Sequence, residues 1–316
     1  MIKIGILGGE NKTAGGILRL LVHHPEVEII AVESHELAGK KIAYYHQGLI
    51  GDTELQFSDN LDFSELELVF VTTPLSSDEY KRIPESVKKI IVPDKSFKEW
   101  EKENPGAVVV PGLSEMFRKP LVREAKTAVL LSPALALSLI PLYPLALHLL
   151  LNDTISVRIS SPKYTRVLGE KKDILADLNY FLRQIQFSFT KIKDLEIVPS
   201  DLLRTMYVEI EMDCTLSEEE LERVYDSVYD DHNFSYIINS VPSSTEVAGT
   251  QKCIIGLQKL NEDRMKITAV GDGLMRGGAG DAIHVMNLLF GLYERIGLSF
   301  PASMAFISKE DSFSST

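Results

Sequence analysis

The first half of the chain alternates short apolar runs with segments whose apolar residues recur at helical spacing. Continuous apolar runs of this length are typical of strands that are buried on both faces of a parallel sheet. Strands that alternate with helical segments predict a doubly wound α/β sheet of the Rossmann type. The predicted strands are Lys3–Leu7, Val27–Val32, Leu66–Thr72, Lys89–Val92, Ala107–Val110 and Val129–Leu131.

The longest apolar stretch, Thr127–Leu151, carries no formal charge. Its length suits a membrane span, but Pro133, Pro141 and Pro144 each remove a backbone donor. No cluster of Lys or Arg flanks it, as an oriented membrane helix requires. We interpret the stretch as a buried strand, a sharp turn at Ser132–Ala134, and a helix packed on every side between two halves of the protein.

The pattern changes after Leu151, where apolar and polar residues alternate with a period of two. This alternation is typical of half-solvated strands and predicts a mixed antiparallel α+β domain. The predicted strands are Thr154–Ser160, Leu203–Met212, Cys253–Leu260 and Met265–Val270, with helices over Lys172–Ile185 and from Ser217 to Tyr229. A last helix, Asp281–Glu294, is expected to pack back on the first half.

Composition narrows the class of protein. The 316 residues are 45% hydrophobic, which predicts two domains with full cores. A net charge of −12 without a basic stripe argues against a nucleic-acid partner.

The two cysteines, Cys214 and Cys253, form no disulfide framework and no metal pattern, so we predict no metal. The chain leads from Met1 directly into a predicted strand, without a signal peptide, so we expect a cytoplasmic protein without a membrane partner. The polar segment Lys309–Thr316 is expected to be a frayed tail.

Glycines follow the first predicted strand, inside a strand–helix–strand unit. A dinucleotide-binding turn needs glycines so that backbone N–H groups and the helix N-terminus face a pyrophosphate. Here the spacing is poor and Glu10 places negative charge at the phosphate position, which Lys12 offsets in part. A weakened cofactor turn and a plain structural turn are equally open. The candidate cofactor residues are Gly8, Glu10, Asn11, Lys12, Thr13 and Gly15.

Glu33 follows the second predicted strand. An acidic residue at this position can bond a ribose 2′-hydroxyl and would repel a 2′-phosphate. Glu33 alone therefore favours NAD over NADP, if a dinucleotide binds. The alternative is an exposed charge at a strand end.

Six segments, spread over the whole chain, resemble the N-acetyl-gamma-glutamyl-phosphate reductase family within the aspartate-semialdehyde dehydrogenase superfamily. They are Leu18–Leu21, His24–Ile29, Ala38–Lys40, Gly112–Glu115, Arg276–Gly280 and Met286–Gly291. The resemblance implies a dinucleotide-binding Rossmann-like domain at residues 1–148 plus 276–316. It implies an α+β, semialdehyde-dehydrogenase-like substrate and dimerisation domain at residues 149–275. It also implies a homo-oligomer and adds Gly273 and Gly277 as cofactor-binding candidates.

The resemblance implies a thiol mechanism in which a cysteine before the interdomain helix attacks an acyl phosphate and NADPH reduces the thioester. Thiolate suits this step as a strong nucleophile and a good leaving group. The family's N-P-G-C turn matches Ser132–Leu135, so Leu135 stands at the nucleophile position. The family's histidine segment falls at Leu168–Leu178, which contains no histidine. Its substrate-binding arginine has no match around Val198–Asp201.

Other side chains are weak substitutes for the missing groups. Ser132 needs an activating base, and its ester is poorly reduced by hydride. His148, further along the predicted helix, is expected in the core or snorkelling to the surface. His284 and Cys253 are expected to be packing residues, and His46 matches a family histidine without a clear role.

Three hypotheses follow. The first is a catalytically silent relative that binds a small molecule, a nucleotide or an active paralogue. The second is a working NAD(P)-dependent reductase of an acyl phosphate or semialdehyde in arginine biosynthesis. The third is an NAD(P) enzyme without covalent catalysis. The sequence favours the first, because nucleophile and base are missing together and act as a unit.

Overall fold

Two β-sheets and a buried helix between them organise the protein. The computed structural model describes residues 1–162 and 170–302, so the predicted tail Lys309–Thr316 lies outside the described residues. So do the first two residues of the Leu168–Leu178 segment.

The first sheet contains seven strands, all parallel. They are β1 Ile2–Leu7, β2 Val27–Glu33, β3 Phe57–Ser58, β4 Leu68–Val71, β5 Lys88–Ile91, β6 Val110–Pro111 and β7 Thr127–Val129. Their order is β3-β2-β1-β4-β5-β7-β6. The helices between them are α1 Lys12–Leu21, α2 Ile42–Tyr45, α3 Ser77–Arg82, α4 Phe97–Glu103 and α5 Ser114–Arg123. This arrangement confirms the doubly wound parallel fold.

One predicted strand is displaced. The run Ala107–Val110 was expected to be a buried strand, but β6 begins only at Val110, and Val108 is 91% exposed. The reason is its place in the sheet, since among residues 1–162 and 170–302 β6 lies at the edge and pairs only with β7. An edge strand also tolerates Pro111, whose missing N–H costs no ladder bond on the open side.

The apolar stretch forms β7 and then α6, Pro133–Leu147, as predicted. Residues 133–142 are all buried. Pro144 lies inside the helix and cannot donate to the carbonyl of Ile140, but Tyr229 donates its hydroxyl to that oxygen at 2.5 Å. Within residues 1–162 and 170–302, no helix combines the length and the apolarity needed to cross a membrane.

The second sheet contains six strands in the order β11-β12-β13-β10-β8-β9. They are β8 Ser156–Pro162, β9 Asp194–Ser200, β10 Thr205–Asp213, β11 Ser235–Ile238, β12 Cys253–Asn261 and β13 Arg264–Asp272, with helices α7 Lys171–Ile185 and α8 Glu218–Tyr229. The central pairs are antiparallel and the two outer pairs are parallel. Along β10, Met206 and Val208 are buried while Glu209 is partly exposed, as the alternation predicts. The exact domain boundaries stay a prediction.

The last helix, α9 Ala279–Leu289, packs back against α1 in the core of the first sheet. It ends before the predicted Glu294. Gly291 has a φ of +65° and its N–H bonds to the Leu288 carbonyl at 3.2 Å. A left-handed glycine just after the last turn stops a helix.

Candidate functional site

The carboxyl ends of β1, β2 and β4 open onto a cleft of about 470 Å³. Ligands bind at this edge of open parallel sheets. Its apolar walls are Leu7, Leu61, Phe63, Pro74, Leu75 and Ile83. Its ionisable lining residues are Glu10, Glu33, Glu36, Asp59, Glu79, His35 and Arg82. The cleft therefore combines an apolar slot with a mainly acidic rim.

The glycine turn after β1 is bonded to Glu33 at the end of β2. Gly8 has a φ of +79°, and a Cβ there would lie 2.6 Å from Thr73 Cβ, so the close approach of Thr73, which follows β4, requires glycine. The Gly8 N–H donates to Glu33 Oε2 at 3.2 Å, and the Gly9 N–H donates to the Glu33 carbonyl at 2.8 Å. Glu33 thus occupies donors that a phosphate would need.

Asn11 fastens the same turn to the helix and to β4. As the N-cap of α1, its Oδ1 accepts from the Ala14 N–H at 2.8 Å. Its Nδ2 donates to the carbonyls of Gly8 at 2.9 Å and Thr72 at 2.6 Å. The Ala14 N–H is therefore bonded within the protein.

The other candidates from this turn lie outside the cleft lining. Lys12 and Thr13 begin α1, and Lys12 is exposed. A Cβ on Gly15 would lie 2.5 Å from His46 Nδ1, while His46 Nε2 lies 2.7 Å from the Gly9 carbonyl oxygen. His46 therefore holds α2 against the glycine turn, a structural role that the sequence left open.

Gly273 and Gly277 lie between β13 and α9, away from the cleft. The Gly273 N–H donates to the Arg204 carbonyl at 2.8 Å. Gly277 has a φ of +66°, and a Cβ there would lie 2.4 Å from Pro133 N. The glycine-rich turn thus packs directly on the start of α6.

Leu135, which the resemblance places at the family's nucleophile position, is part of the hydrophobic core. Leu135 is 1% exposed and Ala134 is fully buried. Ser132, the N-cap of α6, accepts from the Leu135 N–H at 3.3 Å and is 8% exposed. Ser132 therefore has the role of a helix cap here.

His148 does not lie in the core, where it was expected as one alternative. It is the C-cap of α6, is exposed, and lies with Nε2 3.1 Å from Ser227 Oγ. A helix of this length spans roughly 22 Å, so Ser132 and His148 lie at opposite ends. They are far beyond the hydrogen-bond reach that a nucleophile and its base require.

The two cysteines are packed thiols. Cys253 is fully buried in β12, and burial raises its pKa to about 12. This shift is opposite to the one that activates a thiol. Cys214, just after β10, is also buried. In the described ranges, no group of three or more His, Cys, Asp or Glu side chains could hold a metal ion.

A buried ionic cluster was missed by the sequence reasoning. Arg276 Nη2 lies 2.7 Å from Glu115 Oε1, and both side chains are at most 1% exposed. Arg276 Nη1 lies 3.3 Å from Asp281 Oδ1, and His284 Nε2 lies 2.7 Å from Glu294 Oε2. His284 is thus a bonded member of the cluster and not a simple packing residue. The available signal was that Glu115 and Arg276 both lie in segments that carry the family resemblance.

Burial alone would raise the pKa of Glu115, but the charges of Arg276 and His284 outweigh it and hold the pKa at about 2. Glu115 is therefore ionised at neutral pH. The cluster joins the start of α5 to α9 and gives the junction a charged, hydrogen-bonded centre.

Comparisons with known proteins show which families are similar to this chain. The family model of the semialdehyde dehydrogenase NAD-binding domain matches residues 3–99, which contain the cleft. The chain is 34% identical to the N-acetyl-gamma-glutamyl-phosphate reductase of Parabacteroides distasonis, over 96% of this chain and 99% of that protein. The reductase of Phocaeicola vulgatus is 30% identical with the same coverage.

Solved structures share the fold at low identity. Aspartate semialdehyde dehydrogenase with NADP from Candida albicans superposes with a TM-score of 0.65 at 14% identity, over 94% of this chain and 99% of that one. Aspartate semialdehyde dehydrogenase II complexed with ASA from Vibrio cholerae superposes with a TM-score of 0.64 at 10% identity, over 93% of this chain and 99% of that one. The similarity to the curated relatives extends over nearly the full length, and the chain belongs to the N-acetyl-gamma-glutamyl-phosphate reductase family.

Proposed function

We propose that this chain is a family member without covalent acyl-phosphate reduction, which keeps the scaffold and binds a small ligand in the sheet-edge cleft. The observation that carries the proposal is the identity and the burial of residue Leu135. It stands at the nucleophile position, is 1% exposed, and belongs to the hydrophobic core. A side chain without a nucleophilic atom and without access to a substrate cannot form a thioester.

The remaining side chains support the same proposal. Covalent reduction requires an accessible, activated nucleophile with a base in reach. Cys253 is buried with a raised pKa, Ser132 caps α6, and His148 lies at the far end of that helix. Loss of a nucleophile and base that act together removes many decades of rate.

A working NAD(P)-dependent reductase is the second candidate. The observation that favours it is full-length similarity to proteins named N-acetyl-gamma-glutamyl-phosphate reductase. That activity would have to proceed through a side chain other than the buried Leu135, or without a covalent intermediate.

An activity assay separates the two candidates. The purified chain is mixed with NADPH or NADH and N-acetyl-gamma-glutamyl phosphate, and in the reverse direction with the semialdehyde, phosphate and oxidised cofactor. The Parabacteroides distasonis reductase serves as the positive control. We expect no nicotinamide absorbance change above background for this chain, and phosphate-dependent turnover would reject the proposal.

The family's NAD-binding domain is present, but parts of the glycine turn do not suit a pyrophosphate. The Gly8 and Ala14 N–H groups are bonded to Glu33 and Asn11. Glu10 Oε2 is buried at this turn, and no described donor reaches it. We therefore expect dinucleotide binding to be weak.

The partner is also part of the proposal. We expect a homo-oligomer, or an assembly with an active paralogue. Light scattering after gel filtration of the purified chain tests the first arrangement, and co-expression with a paralogue from the same genome tests the second.

A further inference from the structure

The charge of the cleft selects among possible ligands. Its lining carries five carboxylates, from Glu10, Glu33, Glu36, Asp59 and Glu79, against the cationic Arg82 and the titratable His35. His35 is bonded to acidic neighbours, with Nδ1 2.9 Å from Asp59 and Nε2 3.3 Å from Glu33. Arg82 lies on the exposed last turn of α3. The cleft therefore has an excess of negative charge.

The position of Glu10 makes this excess most effective against a phosphate. Glu10 follows the glycine turn, where backbone N–H groups face a pyrophosphate in a dinucleotide site. Its Oε2 is buried with no donor from the described residues. A phosphate bound beside Glu10 would add a second negative charge next to an oxygen that already lacks a donor in the described part of the chain.

The walls suit a planar, uncharged ring. Leu61, Phe63, Pro74 and Ile83 line the slot. The volume of about 470 Å³ lies in the range of about 300–1,000 Å³ that is usual for small-ligand sites. Carboxylates at the ends of β2 and β3 are acceptors for the hydroxyl groups of a sugar.

From the apolar slot, the acidic rim and the position of Glu10, we infer that the cleft binds a nucleoside without phosphate groups and discriminates against its phosphorylated forms. This inference rests on the proposed function, because it names the ligand class of the same cleft. It reverses the preference expected of a dinucleotide site, since each added phosphate weakens binding.

Titration calorimetry of the full chain with adenosine, AMP, NAD and NADP tests the order of affinities. We expect saturable binding of adenosine and at least about tenfold weaker binding of NADP. The reason is that one uncompensated repulsion between neighbouring negative charges weakens binding by about this factor. Added salt should narrow the difference, because it screens repulsion at a solvent-open cleft. Binding of NADP as tight as that of adenosine overturns the inference, and so does the absence of saturable adenosine binding.

The variant Glu10→Gln identifies the source of the selectivity. It should tighten NAD and NADP binding by about tenfold and leave adenosine within a factor of about two. Glu65→Gln is the matched control, since Glu65 is exposed and pairs with Lys3 at the opposite edge of the sheet. An unchanged preference in folded Glu10→Gln protein overturns the assigned cause. The turnover assay is separate. Turnover rejects the proposed loss of covalent reduction, whereas tight NADP binding without turnover leaves that loss standing and rejects this inference together with the weak dinucleotide binding expected above.

Discussion

The hydroxyl of Tyr229 in α8 lies 2.5 Å from the backbone carbonyl oxygen of Ile140 in the middle of α6. This carbonyl loses its helical donor because residue 144 is proline. Burial raises the pKa of Tyr229 well above its usual value, so the hydroxyl stays protonated and can donate. A side chain from the second half of the protein thus completes the hydrogen bonding of a proline-containing core helix.

Removing this donor should destabilise the protein. Tyr229→Phe leaves a buried carbonyl without a partner, and we expect a loss of about 1–3 kcal/mol in the free energy of unfolding. Urea unfolding measures it. Pro144→Ala returns a backbone N–H to Ile140, so the double variant should lose less than the sum of the single variants. Strict additivity would contradict the assigned role.

Gly277 should tolerate no side chain. Gly277→Ala places a Cβ 2.4 Å from Pro133 N at a φ of +66°. Gly291→Ala is the matched control, because its φ is +65° and no atom of the described residues lies within 4 Å of the added Cβ. The control variant should lose about 1–2 kcal/mol of unfolding free energy, because alanine is strained in this left-handed backbone conformation. Gly277→Ala should cost at least about 2 kcal/mol more, and equal unfolding free energies would show that the turn does not press on α6.

The buried ion pair between Arg276 and Glu115 should be costly to break. Arg276→Met leaves Glu115 and Asp281 buried without their cation, and we expect a loss of about 3–5 kcal/mol. Arg264→Met is the control, since Arg264 pairs with Glu211 at 3.0 Å and both side chains are 42% exposed. That change should cost no more than about 1 kcal/mol. Chemical unfolding of both variants provides the comparison.

The same cluster predicts how stability depends on pH. The pKa of Glu115 is about 2 in the folded protein, below its usual 4.5. A depressed carboxyl pKa adds stability above pH 4.5, and this stability is lost as the pH falls toward 2. Glu115→Gln removes the contribution, so its stability should fall less steeply over this window. Asp281, whose pKa is raised by burial and also by the charge of Glu115, acts in the opposite direction. Parallel pH curves from urea unfolding would contradict the prediction.

Restoring the family's thiol should not restore the family's chemistry. Leu135→Cys places sulfur at a position that is 1% exposed. We expect no reductase turnover and slow reaction of this thiol with an alkylating reagent in the folded protein. Leu147→Cys is the matched control, because it lies on the same helix and Leu147 is 46% exposed. Its thiol should react rapidly, and equally fast labelling at residue 135 would show that the site is open.

The sequence predicted the elements that depend on local pattern. Apolar runs predicted the parallel strands, and the uncharged stretch predicted a buried strand followed by α6. The cores of these elements were correct because side-chain periodicity is set by the backbone itself. The predicted ends were less accurate than the cores. Strand β6 was displaced because the apolar run Ala107–Val110 does not reveal that the strand lies at the edge of the sheet.

The sequence by itself determined the family, the doubly wound sheet and the absence of a cysteine at Leu135. Only the tertiary structure decided that Leu135 is sealed in the core, that Gly277 meets Pro133, and that Glu33 bonds the glycine turn. The physical reason is distance along the chain. Local periodicity sets which face of a strand or helix is apolar, whereas contacts between residues far apart in sequence exist only after the sheets and helices have packed.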